Sequence, residues 1–304
     1  MKLKRYIPHT MLLTASVIWG FGFVAQDAIE SLNPFTVGAV RSWIAGFFLI
    51  FVTILLDKLR KTGRALISRR GIDITRAELI GGVLCGIALA AASSLQQIGI
   101  TDGTDAGKAA FITSLYVVLV PIYSLPLGKR APLNVWISVA IAAVGFYLLC
   151  IKSDLSITAS DVWVILCALT FPVHILIIDR FSAKTDGARL SLVQFFTCAV
   201  IQTVPAFIVS GDTSAEIFTS ILPLLFLGIG SSGIAYTLQI LGQGGVAPAV
   251  ASIIMSLESV FGAIGAALIL HSTLTEREYL GCFIVLTAVI LSQLEPKSST
   301  ERSS

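Results

Sequence analysis

Long apolar runs with few charges recur from one end of the chain to the other. A helix rises about 1.5 Å per residue, so roughly 20 apolar residues are needed to cross a ~30 Å hydrocarbon core. The uncharged stretch between Glu216 and Glu258 is too long for one crossing and is divided at its only turn-like sequence, Gly-Gln-Gly-Gly at 242–245. The pattern therefore predicts ten transmembrane helices, at 7–26, 35–56, 79–100, 106–127, 132–151, 161–178, 190–210, 218–240, 246–270 and 276–294.

Composition supports an all-α integral membrane protein. Of 304 residues, 55% are hydrophobic and 13% are charged, and the mean hydropathy of +0.88 excludes an ordinary soluble domain. The first apolar run continues into Gln26 and Asp27 without a small-residue cleavage signal, which predicts a retained helix rather than a signal peptide. The five cysteines lie in apolar runs without CxxC spacing, so we expect buried packing residues and neither a disulfide framework nor a metal site.

The distribution of basic residues predicts the orientation. Seventeen of the 21 Lys and Arg residues fall on one side of the predicted bundle, seven of them in the loop 57–78. Basic loops stay in the cytoplasm, so both termini are expected to be cytoplasmic. Orientation explains the basic loop without a further role in binding anionic lipid. The net charge of +3 gives no indication of nucleic-acid binding, and the polar tail 295–304 is expected to be cytoplasmic and disordered.

An internal repeat adds a second constraint. Shifting residues 94–128 by 142 positions aligns them with 236–270, and nine of the 35 pairs are identical, Gln97 with Gln239 among them. The shift carries the third and fourth predicted helices onto the eighth and ninth, five helices later. Because five is odd, the copies cross the membrane in opposite directions. The sequence therefore predicts two inverted five-helix repeats, 1–151 and 152–294, with a substrate site near the midplane between them.

One carboxylate lies well inside a predicted span. Glu258 is near the middle of the ninth helix and aligns with Tyr116 in the repeat. An ionised side chain at that depth costs roughly 2.5–3.5 kcal/mol on insertion scales, so it is expected to face the bundle interior or a cavity. Unless water, a cation or a base is nearby, the carboxylate prefers its proton. Glu258 is therefore the candidate residue for proton coupling.

The chain resembles the EamA-like family of the drug/metabolite transporter superfamily over nearly its whole length. No single motif is diagnostic, but their order and spacing match. The matching features are Trp19-Gly20 with Phe23, Asn33-Pro34-Phe35 before Arg41, GKAAFITSLY at 107–116 with Pro121, APAVA at 247–251, Ser256-Leu257-Glu258, and Leu274-Thr275 with Gly281.

The resemblance implies ten helices in two five-helix halves and export or exchange of small metabolites or drugs across the inner membrane. Two positions depart from the family pattern. Ser259 stands where the family often has proline, and His271 stands where it often has glutamate at the end of the ninth helix. These departures bear on the subfamily more than on the function.

Seven residues are candidates for substrate binding, and several have a structural alternative. Arg41 either attracts an anionic group or pairs with Glu258, or else it binds loop carbonyls and Asp27. Trp19 lines a cavity or packs. Gln97 and Gln239 bind substrate or hold helices together. Tyr116 and Tyr236 offer aromatic faces with hydroxyl groups, suited to organic cations or mixed polar and apolar solutes. Together with Glu258, they make up the predicted site.

Other polar residues receive a structural interpretation. Lys108, near the outer mouth of the fourth helix, is expected to snorkel. His174 and His271 are far apart in sequence and are expected on opposite halves of the bilayer, so we expect each to pack singly or to lie at the interface rather than to form a metal pair.

The leading function is a secondary active transporter of small organic solutes, needing no cofactor, with protons as the expected coupling ion. The alternative is an intramembrane enzyme acting on a lipid-linked intermediate. It would need paired carboxylates, an H-E-x-x-H motif or a serine nucleophile, and the sequence has none of these.

Overall fold

The computed structural model describes residues 2–29, 31–61, 74–104, 106–151, 157–209, 211–269, 271 and 273–294. Within these ranges the chain is helical and has no strand, and nine helical stretches are long and apolar enough to cross a membrane. Most of the basic loop 57–78 and the tail 295–304 lie outside the described residues. The helices are α1 (Lys2–Asp27), α2 (Pro34–Lys61), α3 (Arg76–Thr101), α4 (Ala106–Ser114), α5 (Tyr116–Ser124), α6 (Leu133–Cys150), α7 (Ala159–Ser182), α8 (Gly187–Val209), α9 (Ser214–Thr219), α10 (Ile221–Leu225), α11 (Tyr236–Gln243), α12 (Pro248–Met255), α13 (Glu258–Ile269) and α14 (Glu276–Ser292).

The predicted spans agree with these bounds to within a few residues, with two exceptions in length. Helix α7 has 24 residues, so the sixth span is longer than the predicted 161–178. Helix α14 has only 17 residues, which is below the roughly 20 that a membrane crossing usually requires. Capping boxes at Thr158 and Thr275 fix where α7 and α14 begin, because each threonine is paired with an acid three residues later.

Three of the long stretches are interrupted near the middle. The fourth predicted span stops at Leu115, between α4 and α5, and the ninth stops at Ser256 and Leu257, between α12 and α13. At both places the backbone tightens into a bond over three residues, from Leu115 N to Ile112 O (3.2 Å) and from Leu257 N to Ile254 O (3.2 Å). The eighth span contains a ten-residue π-helical segment, Phe226–Ala235, between α10 and α11.

Small residues allow the helices to pack closely. Helix α6 packs along α14, α2 along α8, and α3 along both α7 and α8. A β-carbon placed on Gly281 would lie 2.6 Å from the backbone nitrogen of Leu149, and one on Gly145 would lie 2.9 Å from that of Val285. The backbones of α6 and α14 therefore touch, in the manner of small-residue contacts between transmembrane helices.

Ion pairs connect helices at both ends of the bundle. At the basic end, where Asn134 donates to the Leu294 carbonyl (2.8 Å), Lys129 pairs with Asp179. At the opposite end Lys108 pairs with Asp161, so this lysine joins α4 to α7 instead of snorkelling alone. A buried guanidinium at the basic end, Arg189, binds Asp57 at 2.7 Å and Asp186 at 3.1 Å. The first and second halves of the chain are thus joined by charge at both ends.

Candidate functional site

A cavity between the helices gathers six of the seven predicted site residues. The space inside it that water-sized spheres can occupy is about 60 Å³. The predicted residues that line it are Trp19, Arg41, Tyr116, Tyr236, Gln239 and Glu258. They come from five helices, and the π-helical segment contributes Ser231.

Glu258 and Tyr116 meet directly in this cavity. The Tyr116 hydroxyl donates to Glu258 Oε1 at 3.3 Å, and both side chains are more than nine-tenths buried. Each residue opens the helix that follows an interruption, α5 for Tyr116 and α13 for Glu258. No basic residue in the described part of the chain forms an ion pair with this carboxylate.

The two interruptions also touch each other. Ser114 Oγ and Ser259 Oγ lie 2.7 Å apart, both buried, so one hydroxyl donates to the other. In the family that the sequence resembles, proline is often found at the position of Ser259. Here the Ser259 hydroxyl is hydrogen-bonded to Ser114. The bond ties the end of α4 to the start of α13 beside the carboxylate.

Arg41 is held by the π-helical segment rather than by an acid. Its Nε donates to Ser232 Oγ at 3.0 Å and its Nη2 to Ser231 Oγ at 3.1 Å. Neither of its expected acidic partners, Glu258 and Asp27, forms an ion pair with it, and no other acid that the structure describes does so. Hydroxyl groups satisfy the donors without cancelling the charge, so the guanidinium remains available to an anionic group in the cavity.

Aromatic side chains form the walls. The Trp19 ring meets Tyr236 edge-on with centroids 4.8 Å apart, and Tyr236 also meets Phe195 at 5.6 Å. The Trp19 indole Nε1 donates to the Ser231 carbonyl at 3.2 Å, which fixes the ring in place. Aromatic faces of this kind suit an apolar or cationic body of a solute.

Gln97 does not line the cavity, in contrast to its repeat mate Gln239. Its Oε1 accepts a hydrogen bond from Gln26 Nε2 at 3.1 Å, and the residue is 3% exposed. Gln97 thus contacts the cavity wall from behind, through Gln26, which does line it. The sequence left two interpretations of Gln97, substrate binding and joining of helices. Its bond to Gln26 fits the second, because it connects α3 to α1.

The whole chain matches one family model in two copies. The model of the EamA-like transporter family matches residues 7–151 and again 158–294. The chain belongs to the EamA-like transporter family. It is therefore a multi-pass membrane transporter, in agreement with the resemblance seen in the sequence and with its helices of membrane-spanning length.

Curated relatives of this EamA-like transporter are also named as transporters. An uncharacterized transporter of Archaeoglobus fulgidus is 33% identical over 96% of this chain and 87% of its own length. An uncharacterized transporter of Methanothermobacter thermautotrophicus is 22% identical, over 95% of this chain and 87% of its own. These names favour a transporter over an enzyme. One solved crystal structure aligns with a TM-score of 0.76 and 14% identity, covering 94% of this chain and 96% of its own, which supports the fold.

Several residues that line the cavity of this EamA-like transporter were not predicted from the sequence to do so. They are Gln26, Ser93, Gln96, His174 and Ser231. His174 was expected to pack singly, and it lies within 3.0 Å of Gln194 Oε1, fully buried. A usable signal for Ser231 was the uncharged sequence GIGSSG at 228–233, which is rich in small residues and weak in helix formers.

Proposed function

We propose that this EamA-like transporter is a secondary active exporter or exchanger of small organic solutes, coupled to protons through Glu258. The observation that carries the proposal is one cavity that holds a carboxylate and a guanidinium, neither of which forms an ion pair with any residue that the structure describes. Aromatic rings line the same cavity. Charges buried in this way are costly unless a ligand completes them.

Each protonation state of Glu258 belongs to a different step of the proposed transport cycle. When the cavity is empty, a buried acid is most stable with its proton. When a solute ammonium group binds, the ionised form is favoured, because the two opposite charges then lie side by side. One proton is therefore released as each amine binds and is taken up again as the empty site returns. This exchange couples solute movement to a proton gradient.

The charges also suggest a class of solute. A zwitterion with an apolar body would place its ammonium group on Glu258, its carboxylate on Arg41, and its body among Trp19, Tyr116 and Tyr236. The cavity would then contain no net unpaired charge, whereas a simple cation or anion would leave one residue uncompensated.

The proposed architecture is ten membrane-crossing helices in two inverted five-helix repeats, 1–151 and 152–294, with both termini cytoplasmic and the tail 295–304 following. The interruptions support it because Leu115 and Leu257 are repeat mates in the 142-residue shift. Interrupted helices at corresponding positions of two repeats are typical of transporter binding sites. On this proposal α14 crosses the membrane despite its length, helped by its close packing on α6.

Transport by Glu258→Gln in proteoliposomes tests the proposal. The amide keeps the size and the bond from Tyr116 but cannot release a proton. Three probes share one ring and differ in charge: L-phenylalanine, 2-phenylethylamine and phenylacetate. We expect the wild type to accumulate L-phenylalanine in response to a pH gradient, and the variant to lose uphill flux by at least tenfold with a flattened pH dependence.

A matched variant shows whether the loss comes from removing any acid or from removing the acid in the cavity. Glu216→Gln removes an exposed acid outside the spans and keeps the ability of the side chain to cap α9. It should transport as the wild type does. Normal uphill transport by Glu258→Gln would remove Glu258 from the mechanism. Transport of 2-phenylethylamine in clear preference to L-phenylalanine would instead contradict the role assigned to Arg41.

A further inference from the structure

Two polar side chains in the cavity have atoms without partners. Gln239 is 2% exposed and makes no hydrogen bond to any residue that the structure describes, and its Oε1 is fully enclosed. His174 is fully buried, and its Nδ1 likewise has no partner in the described part of the chain. Both residues line the cavity. Other enclosed side-chain atoms in the described part of the chain also have no partner, but of the residues concerned only His174 and Gln239 line the cavity. Each such atom has lost its bonds to water without replacement.

Both side chains are neighbours of Tyr236. The His174 ring meets Tyr236 edge-on, with centroids 5.8 Å apart. Gln239 is three residues after Tyr236 on the same helix, and residues at that spacing are neighbours on one face. Gln239 is also within one turn of the end of α11, so the pair lies on the basic-end side of the cavity. Arg41 approaches from the opposite end, seven residues after the start of α2.

The hydrogen bond between His174 and Gln194 decides which ring nitrogen of His174 carries the proton. His174 Nε2 lies 3.0 Å from Gln194 Oε1, which can only accept, so Nε2 carries the proton in the neutral imidazole. Nδ1 is then an acceptor, and Gln239 Oε1 is another. Two acceptors without donors are complementary to an O–H or N–H group.

The repeat provides an internal comparison. Gln97 occupies the position equivalent to Gln239, and its Oε1 accepts a hydrogen bond from Gln26 while its Nε2 is enclosed without a partner among the described residues. A glutamine whose role is to join helices therefore has a protein partner in this fold, whereas Gln239 has none among the described residues. We propose that His174 and Gln239 form a second subsite, which accepts a hydrogen bond from a neutral O–H or N–H group on the body of the solute. This inference rests on the proposed function and extends it to substrates that carry a third polar group.

Stability without any solute gives the first test. Thermal unfolding in detergent is compared for the wild type, Gln239→Leu and Gln97→Leu. Gln97→Leu leaves Gln26 without its partner and should lower the unfolding midpoint by a few degrees. Gln239→Leu removes a buried amide that has no partner and should leave the midpoint unchanged or raise it. An equal fall in both variants would mean that Gln239 joins helices, and it would overturn the subsite.

Selectivity gives the second test. Binding to purified protein is measured for L-tyrosine against L-phenylalanine, and for L-asparagine against L-leucine, since the members of each pair differ in a hydrogen-bond donor. The wild type should prefer the donor-bearing member of at least one pair by about five- to tenfold. Gln239→Leu and His174→Phe should bring that ratio close to one, while affinity for the other member changes little.

The outcomes separate the two proposals. Wild-type ratios close to one for both pairs, or a ratio that survives both substitutions, would mean that only water occupies the subsite, and it would overturn the inference. Absence of binding for all four amino acids contradicts the proposed solute class, and the stability comparison then decides the role of Gln239 alone. Loss of proton-driven flux in Glu258→Gln with an unchanged binding ratio supports the coupling role separately from this subsite.

Discussion

Arg189 is a fully buried arginine whose charge is compensated within the protein. It binds Asp57 of α2 at 2.7 and 2.8 Å and Asp186 at 3.1 Å, with 1% of its side chain exposed. Removal of one partner from a buried ion pair is strongly destabilising because the other charge stays buried. We expect Arg189→Met to lower the free energy of unfolding by about 3–5 kcal/mol, measured by denaturation in detergent.

The control for Arg189 is the pair of Lys129 and Asp179. The Lys129 side chain is 48% exposed, and exposed ion pairs contribute little, on the order of 0–1 kcal/mol. Lys129→Met should therefore change stability much less than Arg189→Met. Equal effects of the two substitutions would show that burial of Arg189 does not determine its contribution.

At the scale of residues, the sequence could predict the charged members of the site better than the neutral ones. Glu258 is recognisable because an acid inside an apolar span is costly, and Arg41 is recognisable for the same reason. Gln97 and Gln239 could not be told apart from the sequence, because the repeat gives them equivalent positions. What distinguishes them is Gln26, which reaches Gln97 from another helix. Such long-range partners leave no local signal in the sequence.

At the scale of elements, hydropathy predicted the helices but not their interruptions. A span that breaks at Leu115 or at Leu257 keeps the same apolar composition, because only the backbone bonding changes. The prolines of the fourth span do not mark its interruption either, since Pro121 and Pro126 follow it by several residues. The π-helical segment 226–235 escaped prediction for the same reason, although Arg41 and Trp19 both depend on it.

The bond between Ser114 and Ser259 gives a prediction at this scale. A double-mutant cycle with Ser114→Ala and Ser259→Ala should give a coupling of about 0.5–1.5 kcal/mol in the free energy of unfolding, because each single change strands the other hydroxyl. Ser138 is a matched control, since this buried hydroxyl donates to the Asn134 carbonyl of its own helix at 2.8 Å. Ser138→Ala should be additive with Ser114→Ala. Additivity between Ser114 and Ser259 would contradict a bond that joins the interrupted helices.

At the scale of the whole molecule, the ends of the bundle differ in charge as the sequence predicts. Lys129, Arg180 and Arg189 lie at or near the end that carries the start of α1, whereas Asp27, Asp102 and Asp212 lie at or near the other. One end of the bundle is therefore richer in basic residues and the other in acidic ones. By the positive-inside rule, the basic end is the cytoplasmic end.

Cysteine accessibility in cells tests that orientation and the crossing of α14. In a background without the five native cysteines, single cysteines replace Thr213 and Glu276 at one end and Leu133 and Leu294 at the other, all at exposed positions. We expect a membrane-impermeant maleimide to label Thr213→Cys and Glu276→Cys in intact cells, and Leu133→Cys and Leu294→Cys only after permeabilisation. The reason is that basic loops near Leu133 remain cytoplasmic and α14 spans the remaining distance. Labelling of Leu294→Cys in intact cells, with Leu133→Cys still protected, would leave nine crossings and remove the inverted repeat. Labelling of Leu133→Cys instead would reverse the orientation of the whole bundle.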